Sequence, residues 1–135
     1  MGEVISFLPS CEFYFNLGMT AFSKSNYKKA ITYLERAQTL AHTDDDYVFA
    51  NCQLAICLQY DNRYNEAIQR LEKLNLHYGE HHPEIQYFLA NCYAFMNEFK
   101  RSLEYVKGYL ASGQQEFKHE ATDLLSQLHH EQGNF

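Results

Sequence analysis

Tyr14-Phe15-Asn16-Leu17-Gly18-Met19-Thr20-Ala21-Phe22-Ser23-Lys24-Ser25-Asn26-Tyr27-Lys28-Lys29-Ala30-Ile31-Thr32-Tyr33-Leu34-Glu35-Arg36-Ala37 is the stretch whose reading decides the fold. Apolar residues recur at helical spacing on either side of the polar pair Ser25-Asn26, so the stretch reads as two amphipathic helices joined by a tight turn. Ser10 is placed to cap the first helix, over roughly 11–24, with Glu12 favourable to the dipole in its first turn. The second helix runs over about 27–41 and buries Tyr27, Ala30, Ile31, Leu34 and Ala37. The same pattern returns twice. Leu54-Ala55 is followed by the turn Asp61-Asn62-Arg63 and by Tyr64, Ala67, Leu71 and Leu74. Leu89-Ala90 and Tyr93 are followed by the turn Asn97-Glu98 and by Phe99, Ser102, Val106 and Tyr109. Small residues stand at 18, 55 and 90, and again at 30, 67 and 102, which lets paired helices approach closely.

This order of residues resembles the tetratricopeptide repeat, which runs aromatic, Leu-Gly, Tyr, Ala, aromatic, Pro over about 34 residues. The resemblance covers roughly residues 11–110. It implies an all-α, helical-hairpin solenoid of about seven antiparallel helices in a right-handed superhelix. The divisions are an N-terminal arm over 1–10, repeats over 11–44, 45–80 and 81–113, a capping helix over 114–131 and a tail over 132–135. The small residues of the first helices are spaced by 37 and 35, so the extra length belongs in the loops between repeats. Asn51 and Gln86 stand where the second and third units would carry the aromatic, and Tyr109 replaces a small residue. The usual repeat-ending Pro is missing; His42, Gly79 and the Gly113 region break the chain instead. In the last helix Phe117, Ala121, Leu124, Leu125 and Leu128 share one face, which suits a helix that closes the open end of a solenoid.

Composition narrows the function. The 135 residues carry a formal charge of −6 and no Lys/Arg block, which argues against a nucleic-acid partner. At 46% hydrophobic the chain is rich enough to build a core. Four cysteines at irregular spacing, without a CxxC, do not form a disulfide framework, so a reduced, cytoplasmic setting is expected. No signal peptide and no membrane span are expected.

Candidate chemistry is sparse. Asp44-Asp45-Asp46 lacks the alternation, central Gly and distal Glu of a calcium loop, and is assigned to capping the next helix. His77, His81 and His82 cluster, but Gly79 and Pro83 make the segment a loop in which Pro83 opens the next helix, so no metal site is assigned. Cys57 and Cys92 occupy equivalent places in neighbouring helices as small core residues, while Cys52, on another face, is a candidate exposed, oxidisable thiol. No phosphate loop, no GxSxG and no carboxylate pair in a setting that suggests acid–base work is present, so neither an enzyme nor a cofactor is expected.

The family resemblance implies that the first helix of each pair lines a concave groove. Carried over position by position, the groove holds Phe15, Met19 and Phe22, then Phe49, Cys52, Ile56, Gln59 and Tyr60, then Tyr87, Asn91 and Phe95. Family members that grip acidic tails of heat-shock chaperones use Lys and Asn there. Here Phe15, Met19, Cys52, Ile56 and Tyr87 fill those places and Asn91 alone is in keeping. The expected role is a non-catalytic adaptor or scaffold that binds an apolar or amphipathic segment of another protein. Two alternatives stand beside it: a small dedicated chaperone resembling those of type III secretion, and a homodimer whose groove is covered by a second copy or by Val4, Ile5, Phe7 and Leu8 of the arm.

Overall fold

A computed structural model describes residues 9–131. The arm residues Val4, Ile5, Phe7 and Leu8, and the tail over 132–135, lie outside the described residues. Among the described residues seven helices follow one another: α1 (Cys11–Ser23), α2 (Tyr27–Thr39), α3 (Asp44–Tyr60), α4 (Tyr64–Tyr78), α5 (Glu84–Phe95), α6 (Phe99–Ala111) and α7 (Lys118–Glu131). No strand occurs among the described residues. Each helix packs on the next in the chain, and α3 also touches α1 and α5, so the first helices of the three hairpins lie side by side.

The hairpin turns are one device used three times. Ser25, Asn62 and Asn97 take left-handed backbone with φ of 61°, 64° and 61°. The residue after each sends its N–H back into the preceding helix, Asn26 to Ala21 O at 2.9 Å, Arg63 to Leu58 O at 2.8 Å and Glu98 to Tyr93 O at 2.9 Å. This closes the helix end and reverses the chain; Asn tolerates the left-handed region better than most residues. The starts differ. Ser10 caps α1 by accepting from Phe13 N, and Asn26 caps α2 by accepting from Lys29 N. Thr43, not the acidic run, caps α3, its hydroxyl accepting from Asp46 N at 3.1 Å. Asp44, Asp45 and Asp46 fill the first turn instead, where the helix dipole favours negative charge. His77 belongs to α4, and only His81 and His82 lie in the turn before Pro83. His82 reaches Glu84 at 3.1 Å and Asp45 at 3.6 Å, bridging the start of α5 to the start of α3.

The core follows the repeat. Leu34, Leu71 and Val106 are fully buried at equivalent places, as are Ala30, Ala67 and Ser102. A side-chain carbon added to Gly18 would lie 2.8 Å from Leu34 Cγ, so the α1–α2 contact has no room for more than hydrogen. Ser102 donates to Ala90 O at 2.7 Å, locking α6 to α5. Where the repeat lacks its aromatic, polar contacts take over. Buried Asn51 donates to Tyr47 O at 2.8 Å and accepts from Arg70 at 3.2 Å, and Arg70 also donates to Gln38 at 2.9 Å. Tyr93 and Tyr105 stack with ring centres 5.8 Å apart and both donate to the Glu72 carboxylate, at 2.6 and 2.7 Å, tying α4 to α5 and α6. Tyr109 turns from an oddity into a pin: it is wholly buried, and its hydroxyl oxygen accepts from Phe117 N at 2.8 Å, holding the start of α7 against α6.

Candidate partner-binding groove

The first helices α1, α3 and α5 set their aromatic side chains against one another. Phe15 of α1 meets Phe49 of α3 at 4.9 Å between ring centres. Phe22 meets Tyr60 edge-on at 5.3 Å, and Tyr27 meets the same Tyr60 at 5.4 Å. Farther along, Tyr64 stacks on Phe95 at 6.4 Å. Offset and edge-on ring pairs of this kind hold one another in place, so the face is preorganised and not merely apolar.

Two cavities open along it. One, of about 340 Å³, is walled by Ile56, Gln59 and Tyr60 of α3, by Tyr87, Asn91 and Phe95 of α5, by Phe117 in the turn just before α7 and by Glu120 in the first turn of α7. The other, of about 490 Å³, lies between the N-terminal ends of α1 and α3 and takes in Phe15, Phe49, Glu12 and Asp46. The structure thus brings eight of the eleven sequence-assigned residues to the walls of two cavities. Met19 is half-buried on α1 and belongs to neither wall. Phe22 is half-buried against the main core, so it supports Tyr60 more than it offers surface.

Cys52 overturns the expectation set for it. It is 1% exposed, and burial drives its thiol well above the ordinary range. It is neither groove wall nor reactive thiol, because α3 is the middle first helix, flanked by α1 and α5, and a side chain of two heavy bonds from the backbone ends inside that contact. Cys57 and Cys92 are buried as expected, with thiols pushed up to about 12 by burial. Cys92 also donates to Gln59 Oε1 at 3.0 Å, which fixes one side of the Gln59 amide in the cavity floor.

Phe117 and Glu120 are among the wall residues that sequence reasoning missed, together with Gln53 and Phe88. Phe117 stacks on Tyr87 with ring centres 4.7 Å apart and planes 5° apart, and closes one end of the cavity. Burial raises the Tyr87 phenol's pKa, and the neighbouring Asn91 side chain works against that rise. The signal was available: the helix after the last hairpin takes the place of a fourth first helix, so its inner face continues the groove.

Hairpins stacked in this way, with an apolar face on their first helices, define a helical-repeat interaction module. The chain belongs to the tetratricopeptide repeat family: models of that repeat match residues 10–74 and 58–128. A TPR repeat-containing protein of Bacillus subtilis (strain 168), YvcD, is 26% identical over 127 residues; the match covers 93% of this chain and 26% of YvcD, so the chain spans about a quarter of that relative. PcrH in complex with the chaperone binding region of PopD matches with a TM-score of 0.71 at 17% identity, over 90% of this chain and 92% of the other. SycD, a type III secretion translocator chaperone of Yersinia enterocolitica, matches with a TM-score of 0.71 at 20% identity, over 87% of each chain. At these identities the solved structures speak to the fold. Among the described residues no helix is long and apolar enough to cross a membrane.

Proposed function

We propose that this chain is a non-catalytic protein-interaction module that holds an apolar or amphipathic segment of another protein against α3, α5 and the start of α7. One observation carries the reading. Of the four large hydrophobic residues left exposed among the described residues, Phe49, Tyr60 and Phe95 all stand on the two cavities; Leu76, on α4, is the exception. Burying side chains of that size on a partner contributes about 1.5–3 kcal/mol each, and aromatic anchors beside preformed hollows are where binding energy concentrates. A segment with anchors at i, i+3 or i+4 and i+7 would set them in successive hollows along the face.

The test is a pull-down from native extract with wild type and a Tyr60→Glu, Phe95→Glu variant. Both positions are exposed, so the variant keeps its helical content, which Phe22→Glu would not guarantee. A protein held by wild type and reduced roughly hundredfold by the variant, the loss expected for two anchors, supports the groove. Equal capture by both forms refutes it. A dedicated chaperone is the second reading, favoured by the likeness to PcrH and SycD over nearly their whole lengths. It requires that the captured client lose solubility or abundance when this protein is removed; an unaffected client leaves the adaptor role. If the captured protein is a second copy of this chain, the homodimer alternative takes its place.

A further inference from the structure

We infer that the segment the groove takes is an amphipathic one whose apolar anchors are flanked by lysine or arginine; the inference rests on the groove reading above. The charge lining the two cavities is of one sign. Glu12 and Asp46 stand on the cavity between the ends of α1 and α3, and Glu120 stands beside Phe117 on the other. Among the described residues no Lys, Arg or His joins either wall. The three carboxylates are exposed, and among the described residues no ion pair holds Glu12, Asp46 or Glu120, in contrast to Glu66, which is paired with Arg63 at 2.8 Å. Burial is the larger cause that raises the neighbouring Cys11 thiol, and the negative charge of Asp46 and then Glu12 adds to it.

The arrangement has a physical consequence for selection. The apolar floor supplies affinity without regard to charge, whereas rim carboxylates attract a cationic flank and repel an anionic one. Acidic groups lie at both ends of the aromatic run, Glu12 and Asp46 at the Phe15–Phe49 end and Glu120 at the Phe117 end. A segment with basic residues on both sides of its anchors matches that distribution. The chain's own first eight residues do not, since they carry Glu3 and no Lys or Arg.

The experiment uses two labelled probe peptides of fourteen or so residues, identical in Leu anchors at helical spacing, one flanked by Lys and one by Glu. The Lys probe is expected to bind roughly five- to tenfold tighter at low ionic strength, the sum of about three screened charge contacts, with the gap closing as salt shortens the Debye length to about 3 Å at 1 M. Glu12→Gln with Asp46→Asn is expected to reduce the preference, and Glu120→Gln to reduce it further. Neutralising Glu35 and Glu104, on the outer helices α2 and α6, is expected to leave it unchanged. Equal affinity for both probes, each lost with Tyr60→Glu, Phe95→Glu, overturns the charge inference and leaves the groove standing. Binding of both that ignores that variant overturns the groove itself. A preference that falls equally with the outer control shows a general effect of net charge and also overturns the inference.

Discussion

Replacing Tyr109 by Phe removes one oxygen atom and tests how α7 is held. The ring stays, so its contact with Tyr87 at 5.8 Å survives and no cavity larger than a hydroxyl opens. What disappears is the acceptor for Phe117 N, now 2.8 Å away, at the point where the chain enters α7. A net hydrogen bond is worth about 0.5–1.5 kcal/mol, and an amide left partly buried without a partner costs about 1–3 kcal/mol. The expected loss is therefore about 1–2 kcal/mol. Because repeats touch only their neighbours, that loss falls on the terminal helix first. Amide exchange in α7 should rise roughly five- to thirtyfold, the factor that corresponds to about 1–2 kcal/mol, while exchange in α1 to α4 should stay as it was. Phe117 also stacks on Tyr87, so the groove end loosens with α7. Tyr60→Phe, at an exposed position, serves as the control that removes a phenol oxygen without removing this bond. If Tyr109→Phe matches wild type within about 0.3 kcal/mol and α7 exchange is unchanged, the hydroxyl does not pin the helix and the reasoning fails.

Gly18→Ala should destabilise by about 1 kcal/mol in a denaturant melt, because overpacking against Leu34, at about 1–3 kcal/mol, outweighs the gain in helix propensity of about 1 kcal/mol; a stabilised variant would show that α1 and α2 can separate freely. Cys11 should be the first thiol labelled by iodoacetamide in the folded protein, with Cys52, Cys57 and Cys92 reacting only on unfolding; labelling of Cys52 at the Cys11 rate would place it at the surface. The phenols of Tyr93 and Tyr105 are raised above the ordinary range, first by burial and then by donating to Glu72. A raised phenol contributes stability that is complete below the unfolded value near ~10 and is lost as pH climbs through the folded value. Absorbance at 295 nm should show them ionising after the exposed tyrosines, and Tyr105→Phe should delete one late-ionising group; simultaneous ionisation of all the phenols would contradict the Glu72 network.

What the sequence could disclose was whatever short-range pattern encodes. Helical periodicity, the Ser10 cap and the three polar turns follow from neighbours within a few residues, and each reappears in the structure. The left-handed residue recurs at Ser25, Asn62 and Asn97 because the turn chemistry is local. What stayed hidden depends on partners far along the chain. Cys52 shares its repeat position with Phe15 and Tyr87, and only the packing of α3 between two helices buries it. Asn51 looks like a defect until Arg70, nineteen residues on, is seen to satisfy it. Tyr109 looks oversized until Phe117 supplies the amide its oxygen accepts. Phe117 itself was legible as a buried face of a capping helix, but not as a groove wall, since that needs Tyr87 thirty residues earlier.

The most direct test of the groove is to place a photo-crosslinking amino acid at Phe95 and, separately, at Leu76, and irradiate intact cells. Both positions are well exposed, at 58% and 81%, but only Phe95 stands on the cavity. A single foreign protein joined through position 95 and absent from position 76 is the predicted result. The same adducts at both positions, or none at 95, would contradict a binding site on the first helices.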